Sequence, residues 1–210
     1  MAPSEISFDD RDLSKRELAD AAVVACRAFF TDPFFVFLSP DPVLRNQGLV
    51  TFFHTMLKHL GDNSRITTAR DAKDKIMGVA AWLPPGAYPQ SIGTQFAQVP
   101  GTLRALYRRP RALKDGTAFL NAMAKAHPKD PHSYLFLLVA DPEVQRQGVG
   151  SLLLTEGLER ADLEAVPAYL ETQKEDNLPY YRRFGFEVVN DLRPVAGGPQ
   201  LWAMQRPARR

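Results

Sequence analysis

The run Gln145-Arg146-Gln147-Gly148-Val149-Gly150 lies between an apolar stretch, Ser133 to Ala140, and a segment with helical apolar spacing. Two glycines two positions apart let the chain turn tightly and bring its N–H groups to an anion without a Cβ in the way. A helix that starts there offers unpaired N–H groups and the positive end of its dipole. Arg146 adds a mobile counter-charge. Together these residues make a cradle for a pyrophosphate. A dinucleotide-binding G-x-G-x-x-G pattern would need glycine at position 153, where Leu153 stands, and the Gly-Lys-Ser/Thr of a P-loop is absent. Neither NAD nor ATP is supported.

Further along, Asn177 and Tyr181 are four residues apart, so a helix presents both on one face, while the adjacent Tyr180 is turned about 100° away. Gly185 then permits a tight exit from that helix. Glu171 ends an expected strand, Ala168 to Thr172, on the same sheet face as Tyr169. It reads either as a base, acting directly or through water, or as a surface or salt-bridged carboxylate. His127 and His132 have the ionisation range to deprotonate an amine, and equally suit capping or core positions. Asp32 and Asp41 flank an aromatic segment, where they would bind a cation or make ordinary turns. Cys26 sits on an apolar helical stripe and reads as core rather than nucleophile. His54 and His59, five apart, do not share a helical face, and a single cysteine excludes a multi-cysteine zinc site; no metal is expected.

The elements that must position these residues follow from periodicity. A short strand at Ile6 to Phe8 precedes a helix capped near Ser14, with apolar residues from Leu18 to Phe29 at three- and four-residue spacing. Phe34 to Leu38 is core or the wall of a pocket. A helix is predicted over Val43 to Leu60, then strands at Ile66 to Arg70 and Lys75 to Leu83 around the turn Asp71 to Asp74. Helical segments at 90–107 and 111–126 form an insertion of about residues 90–127 suited to shaping a substrate site. Ser133 to Ala140 reads as a strand buried on both faces. A helix over Ser151 to Asp162, the strand Ala168 to Thr172, a short helix Leu178 to Phe184, and strands at Phe186 to Val189 and Leu201 to Met204 complete an α/β pattern. Without repeats or linkers, residues 1–210 read as a single domain.

Composition sets the outer limits. Seventeen prolines in 210 residues, about 8% against a typical value of roughly 5%, fall mostly at element boundaries. A net charge of +2 is not the basic footprint of a nucleic-acid binder, although Arg104, Arg108, Arg109, Arg111 and Lys114 cluster. The apolar run from Tyr134 to Ala140 is far short of the roughly 18 residues of a membrane span. The polar N-terminus lacks the apolar core of a signal peptide, so a cytoplasmic location is expected.

The Q-x-x-G-x-G loop after a buried strand, followed by Asn177-Leu178-Pro179-Tyr180-Tyr181-Arg182-Arg183-Phe184-Gly185-Phe186, resembles the GNAT superfamily of N-acetyltransferases. The segments VADPEVQRQGVGSLLL, VPAYLETQKEDNLPYYRRFGFEVVND and GGPQLWAMQRP resemble its puromycin N-acetyltransferase-like branch, closely over residues 132–207 and loosely elsewhere. The resemblance implies a GNAT fold, a central mixed and mostly antiparallel sheet flanked by helices. It implies acetyl-CoA as co-substrate, its pyrophosphate held by Gln145, Arg146, Gln147, Gly148, Val149, Gly150 and Ser151. Asn177 and the backbone of Leu137 would contact the pantetheine arm. The backbone N–H of Val139 would polarise the acetyl carbonyl, and Tyr181 would protonate the departing thiolate. With Glu171 as base, the implied reaction is direct transfer to a small-molecule primary amine in a ternary complex. A peptide-amine acetyltransferase and a non-catalytic acyl-CoA sensor stand as alternatives. The expected assembly is a monomer or homodimer, with no membrane partner and nucleic acid disfavoured.

Overall fold

A computed structural model describes residues 6–60, 64–88 and 110–209. Strand β1 (Ser7–Asp9) leads into α1 (Lys15–Phe29), α2 (Pro33–Leu38) and α3 (Pro42–Lys58). The hairpin β2 (Arg65–Arg70) and β3 (Ile76–Leu83) follows, then α4 (Pro110–Ala126) and β4 (Ser133–Ala140). Helix α5 (Val149–Leu163), β5 (Ala168–Thr172), α6 (Leu178–Arg182), β6 (Glu187–Leu192) and β7 (Leu201–Arg206) complete the described chain. The seven strands form one sheet in the order β1-β2-β3-β4-β5-β7-β6. Neighbours are antiparallel except β4 and β5, which run parallel. The expected mixed, mostly antiparallel sheet flanked by helices is therefore present. The helix expected over 90–107 lies outside the described residues, as do Arg104, Arg108 and Arg109.

Strand β3 explains the layering. All eight of its residues, IMGVAAWL, are buried, which requires cover on both faces. Val79, Ala81 and Leu83 face a core built with Ala22, Ala25 and Cys26 of α1 and Leu49 and Phe53 of α3. Ala80 and Trp82 face the opposite core, with Leu153, Leu154 and Leu158 of α5. Cys26 is thus a core residue, its thiol pushed up by burial.

Local chemistry sets the helix starts. Ser14 caps α1 in a reciprocal box, accepting from the Glu17 N–H at 3.3 Å while Glu17 accepts from the Ser14 N–H at 2.9 Å. Asp32 caps α2 and Asp41 caps α3, each followed by proline in the first turn. Buried Arg45 donates to the carbonyls of Phe30, Ser39 and Pro40 at 2.9, 2.7 and 2.9 Å. It fixes the corner where α1, α2 and α3 meet. Helix α5 starts two residues before the expected Ser151, because Gly148 takes the cap position with φ +90°.

Helix α5 lies directly on Trp82. A Cβ at Gly157 would come within 2.1 Å of the indole ring, so only glycine permits this approach. Gly157→Ala gains about 1 kcal/mol of helix propensity. Overpacking costs about 1–3 kcal/mol and should outweigh it. A Cβ at Gly116 of α4 would instead meet Leu38 at an ordinary 3.7 Å. Thermal unfolding should therefore show Gly157→Ala melting below the wild type and Gly116→Ala melting at or above it; the reverse order would refute the packing.

Candidate active site

Strands β4 and β5 pair at only two positions, Ser133 with Ala168 and Tyr134 with Tyr169. Past that point they separate. On its other side β4 pairs with β3, and the register jumps between Leu135–Trp82 and Leu137–Ala81, leaving Phe136 as a bulged residue. A bulge bends its strand and increases its twist, while β5 remains in register with β7. The edge of Leu135 to Ala140 that faces β5 therefore has no ladder partner. A cavity of about 380 Å³ opens between the strands, bounded by Leu135 to Ala140 and Gln145 on one wall and by Leu170 to Lys174, Asn177 and Tyr181 on the other. Phe29, Phe34, Phe35, Phe52, Phe53 and Phe119 cover one end.

At the end of β4, buried Asp141 holds the turn. Its N–H donates to the Met77 carbonyl at 2.8 Å, its carboxylate accepts from the Glu143 N–H at 3.0 Å, and Arg27 pairs with it at 3.1 Å. Gln145 donates to the Ala140 carbonyl at 3.2 Å and Gln147 to the Glu143 carbonyl at 3.0 Å. Arg146 is exposed, with φ +62°. Helix α5 then begins with no side-chain cap, and Val149 is anchored in the core. Within the protein itself the two glycines differ in what surrounds them. A Cβ at Gly148 would meet nothing within 4 Å, so glycine is needed there for its left-handed φ. A Cβ at Gly150 would meet the Tyr180 hydroxyl at 3.4 Å. Tyr180 thus packs on the first turn of α5, beside Ser151.

Asn177 and Tyr181 both line the cavity. The Asn177 amide donates to Thr172 Oγ1 at 3.0 Å, tying its segment to the end of β5. Tyr181 is 8% exposed and packs against Phe186 and Tyr180. Burial, and to a lesser extent Tyr180, raises its phenol well above the ordinary value, so it holds its proton at neutral pH. Leu137 and Val139 bury their side chains in the core on the α1 side, which leaves their main chain to the cavity wall.

Glu171 also lines the cavity and is no surface carboxylate, its side chain being 3% exposed. Its Oε2 accepts from the Tyr134 hydroxyl at 2.5 Å. His127 Nδ1 lies 3.6 Å from Oε1, and His127 Nε2 lies 2.9 Å from His132 Nε2. Tyr88 stacks on His127 with ring centroids 3.8 Å apart. Burial first, then Glu171, raises the phenols of Tyr134, Tyr169 and Tyr88. Both expected histidines therefore converge on Glu171. Tyr88 and Tyr134 went unrecognised in the sequence, where each reads as one more apolar residue.

Asp32 is a capping residue, accepting from the Phe34 N–H at 3.0 Å, and it also lines the cavity. Burial raises its carboxyl and nearby Lys174 opposes the shift. Asp41 is exposed and only caps α3. Among the described residues no group of three or more His, Cys, Asp or Glu side chains is placed to hold a metal. No described helix is long and apolar enough to cross a membrane.

The fold recurs in solved structures. A Corynebacterium glutamicum protein described as histone acetyltransferase HPA2 and related acetyltransferase is similar, with TM-score 0.72 and 24% identity over 98% of each chain. Arylalkylamine N-acetyltransferase 2 of Aedes aegypti matches with TM-score 0.63 and 14% identity, over 97% of this chain and 99% of that one. The ribosomal-protein-S18-alanine N-acetyltransferase of Escherichia coli matches with TM-score 0.55 and 15% identity, over 98% and 95%. At these identities the likeness is one of fold. The model of the acetyltransferase (GNAT) family matches residues 30–186, about three quarters of the sequence. With its open β4 edge running into an uncapped helix, this chain belongs to the GNAT acetyltransferase family.

Proposed function

We propose that the protein transfers an acetyl group from acetyl-CoA to the primary amine of a small molecule with an apolar body. The observation that carries this reading is one cavity holding a buried carboxylate, Glu171, a protonated phenol, Tyr181, and an unpaired strand edge between them. The unpaired edge offers backbone groups to the pantetheine arm at Leu137 and Val139, with Asn177 across the cleft. The uncapped start of α5, with Gln145 to Ser151 around it, suits a pyrophosphate. Bound acetyl-CoA supplies the activated carbonyl.

The remaining chemistry is done by side chains of this chain. An alkyl amine is mostly protonated at neutral pH and must lose a proton before it attacks. Glu171 takes that proton. The main chain at Val139 donates to the carbonyl oxygen as charge develops there. Tyr181, kept protonated by burial, gives its proton to the departing sulfur, and the second proton shed by the attacking nitrogen restores the phenol. The apolar body of the acceptor is read from the six phenylalanines at one end of the cavity, with Met56 and Met123 beside them. Such a wall desolvates a hydrocarbon or aromatic group, and the carboxyl beside it, Asp32, is engaged in capping α2. The wording of residues 132–207 further supports placement in the puromycin N-acetyltransferase-like branch.

Thiol release from acetyl-CoA across an amine panel tests this reading. Phenylalkylamines and amino-acyl aromatic amines should turn over at least tenfold faster, as kcat/KM, than spermidine or a lysine peptide, roughly the worth of burying two methylene groups. A faster lysine peptide would make the protein a peptide acetyltransferase, and binding of acetyl-CoA without turnover would make it a sensor. Tyr181→Phe and Glu171→Gln should each lower kcat by about 10²-fold or more, with acetyl-CoA affinity nearly unchanged. Gly148→Ala, with a left-handed backbone penalty of about 1–2 kcal/mol, should weaken acetyl-CoA binding in calorimetry by roughly tenfold; full affinity would remove the turn from the binding site.

A further inference from the structure

The Glu171 cluster is one proton short, and the missing proton has a defined seat. The Asp130 carbonyl can only accept, so the 2.7 Å contact with His132 Nδ1 places a proton on that nitrogen. Neutral His132 then has a lone pair at Nε2. The 2.9 Å contact between the two Nε2 atoms requires His127 to be the donor. Neutral His127 is left with a lone pair at Nδ1, which points at Glu171 Oε1 across 3.6 Å. Both atoms are buried, in side chains only 6% and 3% exposed, and no hydrogen bond closes the gap between them, while the Tyr169 hydroxyl lies beside the same carboxylate. Two buried acceptors facing each other form an arrangement that one added proton completes.

We propose that His127 and His132 act through Glu171 as the store for the proton removed from the acceptor, resting on this proposed amine-acetylating activity. The ammonium N–H bond breaks and a Glu171 O–H bond forms. That bond then breaks as His127 Nδ1 takes the proton, giving an imidazolium against a carboxylate. His127 keeps its Nε2–H to His132 throughout, so neither ring changes tautomer. After the product leaves, the proton returns through Glu171 to water entering the cleft, and the cluster recovers its charge. Every other group packed around the cluster favours this exchange being confined to the two partners. Tyr88, Tyr134 and Tyr169 are phenols held neutral by burial, from the loop after β3, from β4 and from β5. The remaining charges nearby are Asp130, in the exposed loop before β4, and Asp32 and Lys174 on the cavity lining. His132 is held neutral chiefly by desolvation, which keeps its Nε2 available as the acceptor that orients His127.

The tests use the full chain. His127→Ala should lower kcat by about 10²-fold with both KM values nearly unchanged. Added imidazole should restore at least about tenfold of the lost rate, whereas pyrazole, similar in shape but a poor base, should not. Equal rescue by both, or an unchanged kcat, would overturn the proposal, since filling the space alone would then suffice. If His127→Ala fails to fold, His132→Gln replaces it and should lower kcat by roughly tenfold; an unchanged kcat counts against the store. Independently of activity, long-range proton–nitrogen NMR above the histidine range should show His132 as the Nδ1–H tautomer and His127 as the Nε2–H tautomer. The opposite tautomer at either ring would break the chain of bonds and overturn the proposal. If no amine elicits thiol release, acetyl transfer fails as the reading and the proton store with it. Turnover with the wrong tautomers removes the store alone.

Discussion

The parting of β4 and β5 after two residue pairs is the constraint on which the rest of the structure depends. Parallel strands inside a sheet normally satisfy each other's backbone groups along their whole length, because a buried unpaired N–H or C=O is costly. Here Phe136 bulges out of the β3 ladder and turns β4 away, while β7 holds β5 in place. The unpaired edge belongs to a cleft open to a ligand. The same separation lets Glu171 and Tyr181 approach the cleft from β5 and α6.

Such an opening in the middle of a sheet needs rigid support on both sides. On one face, the small residues Ala21, Ala22, Ala25 and Cys26 of α1 pack with α3 under β3 and β4. On the other, Gly157 lets α5 lie on Trp82, which fixes where the start of α5 meets the end of β4. Arg27 reaches from α1 to Asp141 and Glu143, so the turn between β4 and α5 is held from the opposite layer as well. The site is therefore a product of two cores, and its polar groups are placed by apolar packing.

Much of this was legible before folding. The boundaries of Ser133–Ala140 and Ala168–Thr172 coincide with the expected strands, because one is a continuous apolar run and both end at clear polar or proline signals. The Ser14 cap and the turn at Asp71 to Asp74 follow from local hydrogen-bonding chemistry, which sequence displays directly. That Gly150 lies beside Tyr180 was not legible, because Tyr180 comes from a segment 30 positions away in the chain. Phe34 to Leu38 stood undecided between core and pocket wall, and the fold makes it serve as both.

The residue types and spacings of the Gln145–Ser151 turn and of Asn177–Phe186 determined on their own an anion-binding turn and a shared helical face, and their resemblance to the acetyltransferase family's motifs pointed to the family. Those are short-range patterns, and short-range geometry follows from backbone chemistry alone. Only the tertiary structure decided that His127, His132, Tyr88 and Tyr134 gather on Glu171. They come from the loop after β3, the end of α4, the approach to β4 and β4 itself, and nothing in their local sequence distinguishes them from core or capping residues. Their meeting depends on β4 lying beside β5 at Tyr134 and Tyr169, a long-range pairing that no periodicity encodes.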